Sequence, residues 1–163
     1  MSYKSAVLKQ AVLGIFLIPL LGTLLWFSLP DPVTPNRAVY TLSWAALFSV
    51  PLFLGIHSAL FQRFGSEELI KGHASASQLG FHSAYLSNTL EQTLVNVLTA
   101  ISLGMVAPME YIKLVPIQAC LYVVGRIMFF FTYKNNPMSR FAGFAVGYYV
   151  AAISLVLTLC WSF

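Results

Sequence analysis

Five separate stretches of this chain are each long and apolar enough to cross a bilayer, and this constrains its fold more than any other feature. A helix that spans the hydrocarbon core needs about 20 mostly apolar residues. Residues 7–29, 39–61, 79–106, 114–133 and 141–161 meet that length. Only 9% of the 163 residues are charged, against about 25% in a soluble domain. The predicted fold class is therefore an all-α integral membrane protein, an antiparallel bundle of transmembrane helices. Backbone polar groups in lipid must be satisfied within the segment, which favours helices for all five.

The connections set the organisation. Pro30, Asp31, Pro32 and Pro35 mark the first loop, because proline supplies no backbone donor and restricts its predecessor. Residues 63–78 form the longest polar connection, whereas residues 109–113 and 134–139 are short. Short connections favour antiparallel neighbours in one bundle. Pro19, Pro51 and Pro116 fall inside apolar runs and are expected as kinks, which membrane helices tolerate. The first run is too long for a signal-peptide core and lacks a small-x-small cleavage site, so a retained helix is expected.

Loop charge gives the orientation, since cytoplasmic loops collect Lys and Arg. Lys4, Lys9, Arg63, Lys71, Lys134 and Arg140 fall on one side, and Arg37 and Lys113 on the other. This places the N-terminus in the cytoplasm and Phe163 outside, in an inner or plasma membrane. The net charge of +4 comes without a basic patch interleaved with aromatics, so no nucleic-acid partner is expected. Cys120 and Cys160 are expected as packing thiols, with a disulfide left open. No His–x3–His or His/Glu spacing suggests a metal site. Phe129, Phe130 and Phe131 are expected in packing and against lipid.

Two ions inside apolar runs carry the functional expectation. Glu91 lies in the third run and Arg126 in the fourth. Each costs about 2.5–3.5 kcal/mol near the bilayer centre on insertion scales. Asn88, Glu91, Gln92, Val95, Asn96 and Thr99 recur at helical steps and predict a polar stripe. Arg126 and Tyr133, seven apart, share a face of the next helix. Counting at 1.5 Å per residue from Ser83 and from Lys134 puts both ions roughly 12 Å below the same edge. They are expected to face each other, within one subunit or across two. A pair that only fixes helix register is the alternative. With Asn88, Tyr133 and Arg140 around them, the two ions predict a cationic cleft for an anionic, carboxylate-bearing ligand.

At these residues the sequence resembles the membrane-associated proteins in eicosanoid and glutathione metabolism, the MAPEG family. The stretch Asn88-Thr89-Leu90-Glu91-Gln92 is similar to the family's Asn-x-x-Glu motif. Gly125-Arg126-Ile127, with Tyr133 seven residues after the arginine, is similar to its third helix. Pro137, Arg140 and Val146-Gly147-Tyr148 are similar to the start of its fourth helix. Ala84 stands where the family has an arginine. The resemblance implies a four-helix core over residues 36–163, preceded by an extra N-terminal transmembrane helix and loop over residues 1–35. It also implies a homotrimer with glutathione as cofactor. Asn88, Glu91, Arg126 and Tyr133 would then bind the substrate, and Arg140 would be the catalytic residue that stabilises the thiolate.

Three functions follow as expectations. The first is a membrane-embedded glutathione- or thiol-dependent transferase or peroxidase acting on lipophilic electrophiles. The second is a non-catalytic relative that binds membrane lipid or a partner protein. The third is a small ion-coupled transporter, or a subunit of one, with Glu91 as the carrier.

Overall fold

A computed structural model describes residues 3–32, 36–65, 67, 71, 76–135 and 140–163. Pro35, His73 and Pro137 lie outside the described residues, as does most of the long polar connection. Among the described residues the chain is helical, with no strand. Helix α1 runs Tyr3–Ser28, α2 Arg37–Ala45, α3 Val50–Phe64, α4 Ala76–Val106, α5 Leu114–Asn135 and α6 Phe141–Ser162. Short 3-10 segments, Ala46–Ser49 and Met109–Tyr111, lie between α2 and α3 and before α5.

Five spans are long and apolar enough to cross a membrane: Val7–Ser28, Arg37–Phe64, Gly80–Val106, Met109–Lys134 and Phe141–Ser162. They coincide closely with the five runs read from sequence and are compatible with an integral membrane protein. The outward surface agrees, with Phe16 70%, Phe27 83% and Phe61 75% exposed. So many large apolar side chains exposed at once are unusual on a soluble monomer.

The second span is one continuous helical run, in which α2 passes through a 3-10 turn into α3 with right-handed helical backbone at every junction. Pro51 stands just after that turn, in the first turn of α3, where the tightened backbone accommodates its missing N–H. Pro19 does lie inside α1. Asn36 caps α2, its side chain accepting from the Val39 N–H at 3.1 Å, which satisfies one orphan donor of the first turn.

Consecutive spans run antiparallel, as pair contacts along their lengths require. Arg126 of α5 meets Asn88 near the start of α4, while Gln118 near the start of α5 meets Asn96 further along α4. Tyr111, just before α5, stacks on Trp161 at the end of α6, with ring centroids 5.5 Å apart. One end of the bundle thus gathers the start of α1, the end of α3, the start of α4, the end of α5 and the start of α6. Lys9, Arg63, Lys134 and Arg140 sit there.

Helix α6 is the hub and packs on α1, α4 and α5. Its approach to α5 relies on glycine. A Cβ on Gly143 would fall against the Phe129 backbone and 2.5 Å from the Gly125 carbonyl oxygen. Small residues let membrane helices approach at backbone distance. One core cluster joins Phe48, Leu103, Val115 and Tyr122; a second joins Ile117, Leu121, Val146 and Val150 to the inner face of α1.

Candidate functional site

Near the end of the bundle that carries Arg63, Lys134 and Arg140, the start of α4, the end of α5 and the start of α6 leave a recess of about 380 Å³. Asn88 and Glu91 form its α4 wall, Phe129 and Tyr133 its α5 wall, and Arg140 and Phe141 its α6 side. Four of the five residues singled out in the sequence therefore meet at one place. Their spacing explains it: Asn88 and Glu91 are three apart on α4, while Phe129 and Tyr133 are four apart on α5.

Arg140 is placed by aromatic faces. Its guanidinium carbon lies 4.9 Å from the Tyr133 ring centroid and 5.5 Å from that of Phe141. Tyr133 is wedged in turn against Phe81 and Phe129, at 5.2 and 5.4 Å. A planar cation over ring faces keeps its fork of donors in a defined direction.

Arg126 is placed differently from expectation. It is fully buried, behind the recess rather than in its wall. No ion pair joins it to Glu91. Among the described residues the ion pairs are Lys71–Glu67 and Lys113–Asp31, neither of them at the recess. Arg126 donates from Nη1 to Asn88 Oδ1 at 2.8 Å and from Nη2 to Thr89 Oγ1 at 2.6 Å. Its guanidinium carbon lies 4.3 Å from the Phe129 ring centroid and 5.3 Å from that of Tyr85. Nε is buried with no hydrogen-bond partner. Complete burial also corrects the two-subunit alternative, because no side chain of a second copy reaches a group the first copy encloses. Matching depth is satisfied, but the two side chains leave their helices in different directions.

The predicted stripe on α4 divides for the same reason. Thr89, Gln92, Asn96 and Thr99 turn inward and are buried, whereas Glu91 and Val95 are exposed. The inward set forms a network with α5 and α6. Asn96 Nδ2 donates to the Gly147 carbonyl at 3.2 Å, Gln118 Nε2 donates to Thr99 Oγ1 at 2.8 Å, and the Thr93 and Tyr122 hydroxyls share a 2.6 Å bond. Buried polar groups need such partners.

Sequence reasoning missed Thr89 and Phe129. Both were legible in principle: Thr89 is three before Gln92 on the inward face of α4, and Phe129 is three after Arg126 on α5. Tyr85 follows the same rule, four residues before Thr89. Cys120 and Cys160 are both free.

The recess brings one cation, one carboxylate, an amide and a phenol together near one end of the bundle, over a buried cation that has no carboxylate partner among the described residues. Such a set can grip an anionic group and an ammonium group on one small molecule. No protein-family model, curated protein or solved structure matches the chain.

Proposed function

We propose that the chain is an integral membrane protein that binds glutathione, or a similar small anionic thiol, in this recess and transfers it to lipophilic electrophiles. One observation carries the reading: Asn88, Glu91, Tyr133 and Arg140, far apart in sequence, line a single recess. The resemblance to the MAPEG family, drawn from these same residues, points the same way and would make the assembly a homotrimer. The basic end lies in the cytoplasm, with the N-terminus inside and Phe163 outside.

Each residue then has a role. Arg140, with its donors over the recess, stabilises the thiolate; a thiol of pKa about 8.5 ionises more readily beside a cation. The start of α6 adds its partial positive charge. Glu91 takes the ligand's ammonium group, Asn88 and Tyr133 orient its amides, and Arg126 contributes field from behind the wall. In the reaction the thiol proton leaves to solvent. The sulfur then forms a bond to the electrophilic carbon, and the leaving group departs with its electron pair. The lipophile reaches the recess from the bilayer between the α4 and α6 faces.

A second reading, binding without catalysis of a lipid or a partner protein, is favoured by one residue. Ala84 lines the recess where the family places an arginine, so a carboxylate of the ligand has one fewer cation to grip it. Equilibrium binding of tritiated glutathione to purified protein in nanodiscs, with turnover of a chromogenic aryl halide, separates the readings. Saturable binding with turnover lost in Arg140→Ala supports transfer. Binding without turnover supports the second reading, and no binding at millimolar glutathione rejects the first.

A further inference from the structure

A second cavity, distinct in every lining residue from the recess, lies between α1 and the α5–α6 pair. It holds about 440 Å³, within the range of small-molecule sites. Its wall includes Gly22 and Trp26 of α1, Ile117 and Leu121 of α5, and Val150 and Leu157 of α6. No charged side chain lines it. The missing side chain at Gly22 leaves space there, since a Cβ would only touch Ile117 and Leu121 at 3.9 and 4.0 Å.

Two polar groups in this apolar wall lack partners. Gln118 is 2% exposed, and its Oε1 is buried with no hydrogen bond. The amide cannot be turned to cure this. Nε2 donates to the Asn96 backbone oxygen at 3.2 Å as well as to Thr99 Oγ1, and a backbone carbonyl only accepts. Ser154 is 5% exposed and its hydroxyl has no partner among the described residues, although its carbonyl accepts from Thr158. Leaving a buried acceptor unmet has a cost that a bound donor would remove.

We propose that this cavity is a binding site for a neutral, long-chain lipophile carrying one hydroxyl group, entering from the bilayer beside α1. The hydroxyl donates to Gln118 Oε1 and accepts from the Ser154 O–H, while the chain fills the space against Gly22, Ile117 and Val150. The absence of a lining charge selects against fatty-acid carboxylates. The site needs neither glutathione nor Arg140, so it stands or falls apart from the transferase reading.

The test is photo-crosslinking in nanodiscs with a diazirine-bearing dodecanol and, as a control, the same diazirine on dodecane, with labelled peptides mapped by mass spectrometry. Dodecanol is expected to label α5 and α6 around Ile117 and Val150. Ser154→Ala is expected to lower that labelling about fivefold, the worth of one neutral hydrogen bond, and to leave dodecane labelling unchanged. Gly22→Leu, which fills the cavity, removes both. Both variants are checked for native helix content by circular dichroism. Equal labelling by alcohol and alkane that ignores Ser154→Ala, or labelling that survives Gly22→Leu, overturns the proposal.

Discussion

Asn88 is shared between two functions of the site: its Oδ1 accepts from Arg126 Nη1 at 2.8 Å while its side chain forms part of the recess wall. The buried guanidinium and the recess are thus joined through the Asn88 amide and the Phe129 ring. A ligand that pulls on Asn88 changes one of the two hydrogen bonds that hold a buried charge, so stability and ligand binding are expected to be linked here.

The two ends of that bond are not equivalent when removed. Asn88→Leu orphans a buried charged donor and is expected to destabilise the protein by about 1–3 kcal/mol. Arg126→Met removes the charge with its desolvation cost, and replacing buried ions by apolar residues is often neutral or stabilising by about 1–4 kcal/mol. Thermal melting in detergent is expected to place Asn88→Leu below wild type and Arg126→Met at or above it. Equal losses in both would mean that Arg126 is held by something other than this bond.

Glu91 gives the opposite pattern. It is exposed and makes no hydrogen bond or ion pair among the described residues. Glu91→Gln is therefore expected to leave melting within about 0.5 kcal/mol of wild type. On the proposed function it loses the charged contact to the ligand's ammonium group, and glutathione affinity falls at least about tenfold. A glutathione analogue lacking the α-amino group is expected to bind both proteins equally in isothermal titration.

How much of this was readable from sequence depends on the length over which the signal is averaged. The five spans were legible because each rests on about 20 apolar residues, and no local preference cancels that sum. The 3-10 turn inside the second span was not, because Pro51 reads the same whether it bends a helix or follows a locally tightened turn. Depth along the bundle was legible from a simple count of helical rise, which put Glu91 and Arg126 on one level. Azimuth was not. Glu91 is only two residues from Thr89, yet at about 100° per residue they point to nearly opposite sides. That rotation decides that Thr89, rather than Glu91, meets Arg126. Thr89 was passed over because a buried cation invites a search for a carboxylate first, whereas two neutral acceptors and two ring faces stand in its place.

The glycines give a packing prediction with its own control. Gly143 lies where the α5 and α6 backbones meet, and Gly125 carbonyl oxygen and Phe129 backbone leave no room for a methyl group. Gly143→Ala is expected to destabilise by about 1–3 kcal/mol through forced backbone shifts. Gly80, in α4, has nothing within 4 Å of a would-be Cβ. Gly80→Ala is expected to stabilise by about 0.5–1 kcal/mol through helix propensity. Melting temperatures that move in opposite directions would confirm the close α5–α6 contact.

The orientation proposed above rests on the unequal number of basic residues at the two ends, and the two at the sparser end are held in structural contacts. Arg37 donates from Nη1 to the Met105 carbonyl at 2.6 Å, in the last turn of α4, where a cation also complements the helix dipole. Lys113 pairs with Asp31 at 2.7 Å and lies 5.9 Å from the Trp26 ring centroid. Both cations at this end therefore have structural partners. The other end carries Lys9, Arg63, Lys134 and Arg140, none with an ion-pair partner among the described residues, and it is the larger number of Lys and Arg near the span ends that holds a side in the cytoplasm. Alkaline phosphatase fused after Phe163 is accordingly expected to be active, since that enzyme folds only outside the cytoplasm, and a green fluorescent fusion at the same point to be dark. Converting Lys134 and Arg140 to glutamine weakens the bias and is expected to lower the phosphatase signal. A bright fluorescent fusion at Phe163 would invert the topology and place the recess on the outer face, where cytosolic glutathione does not reach it.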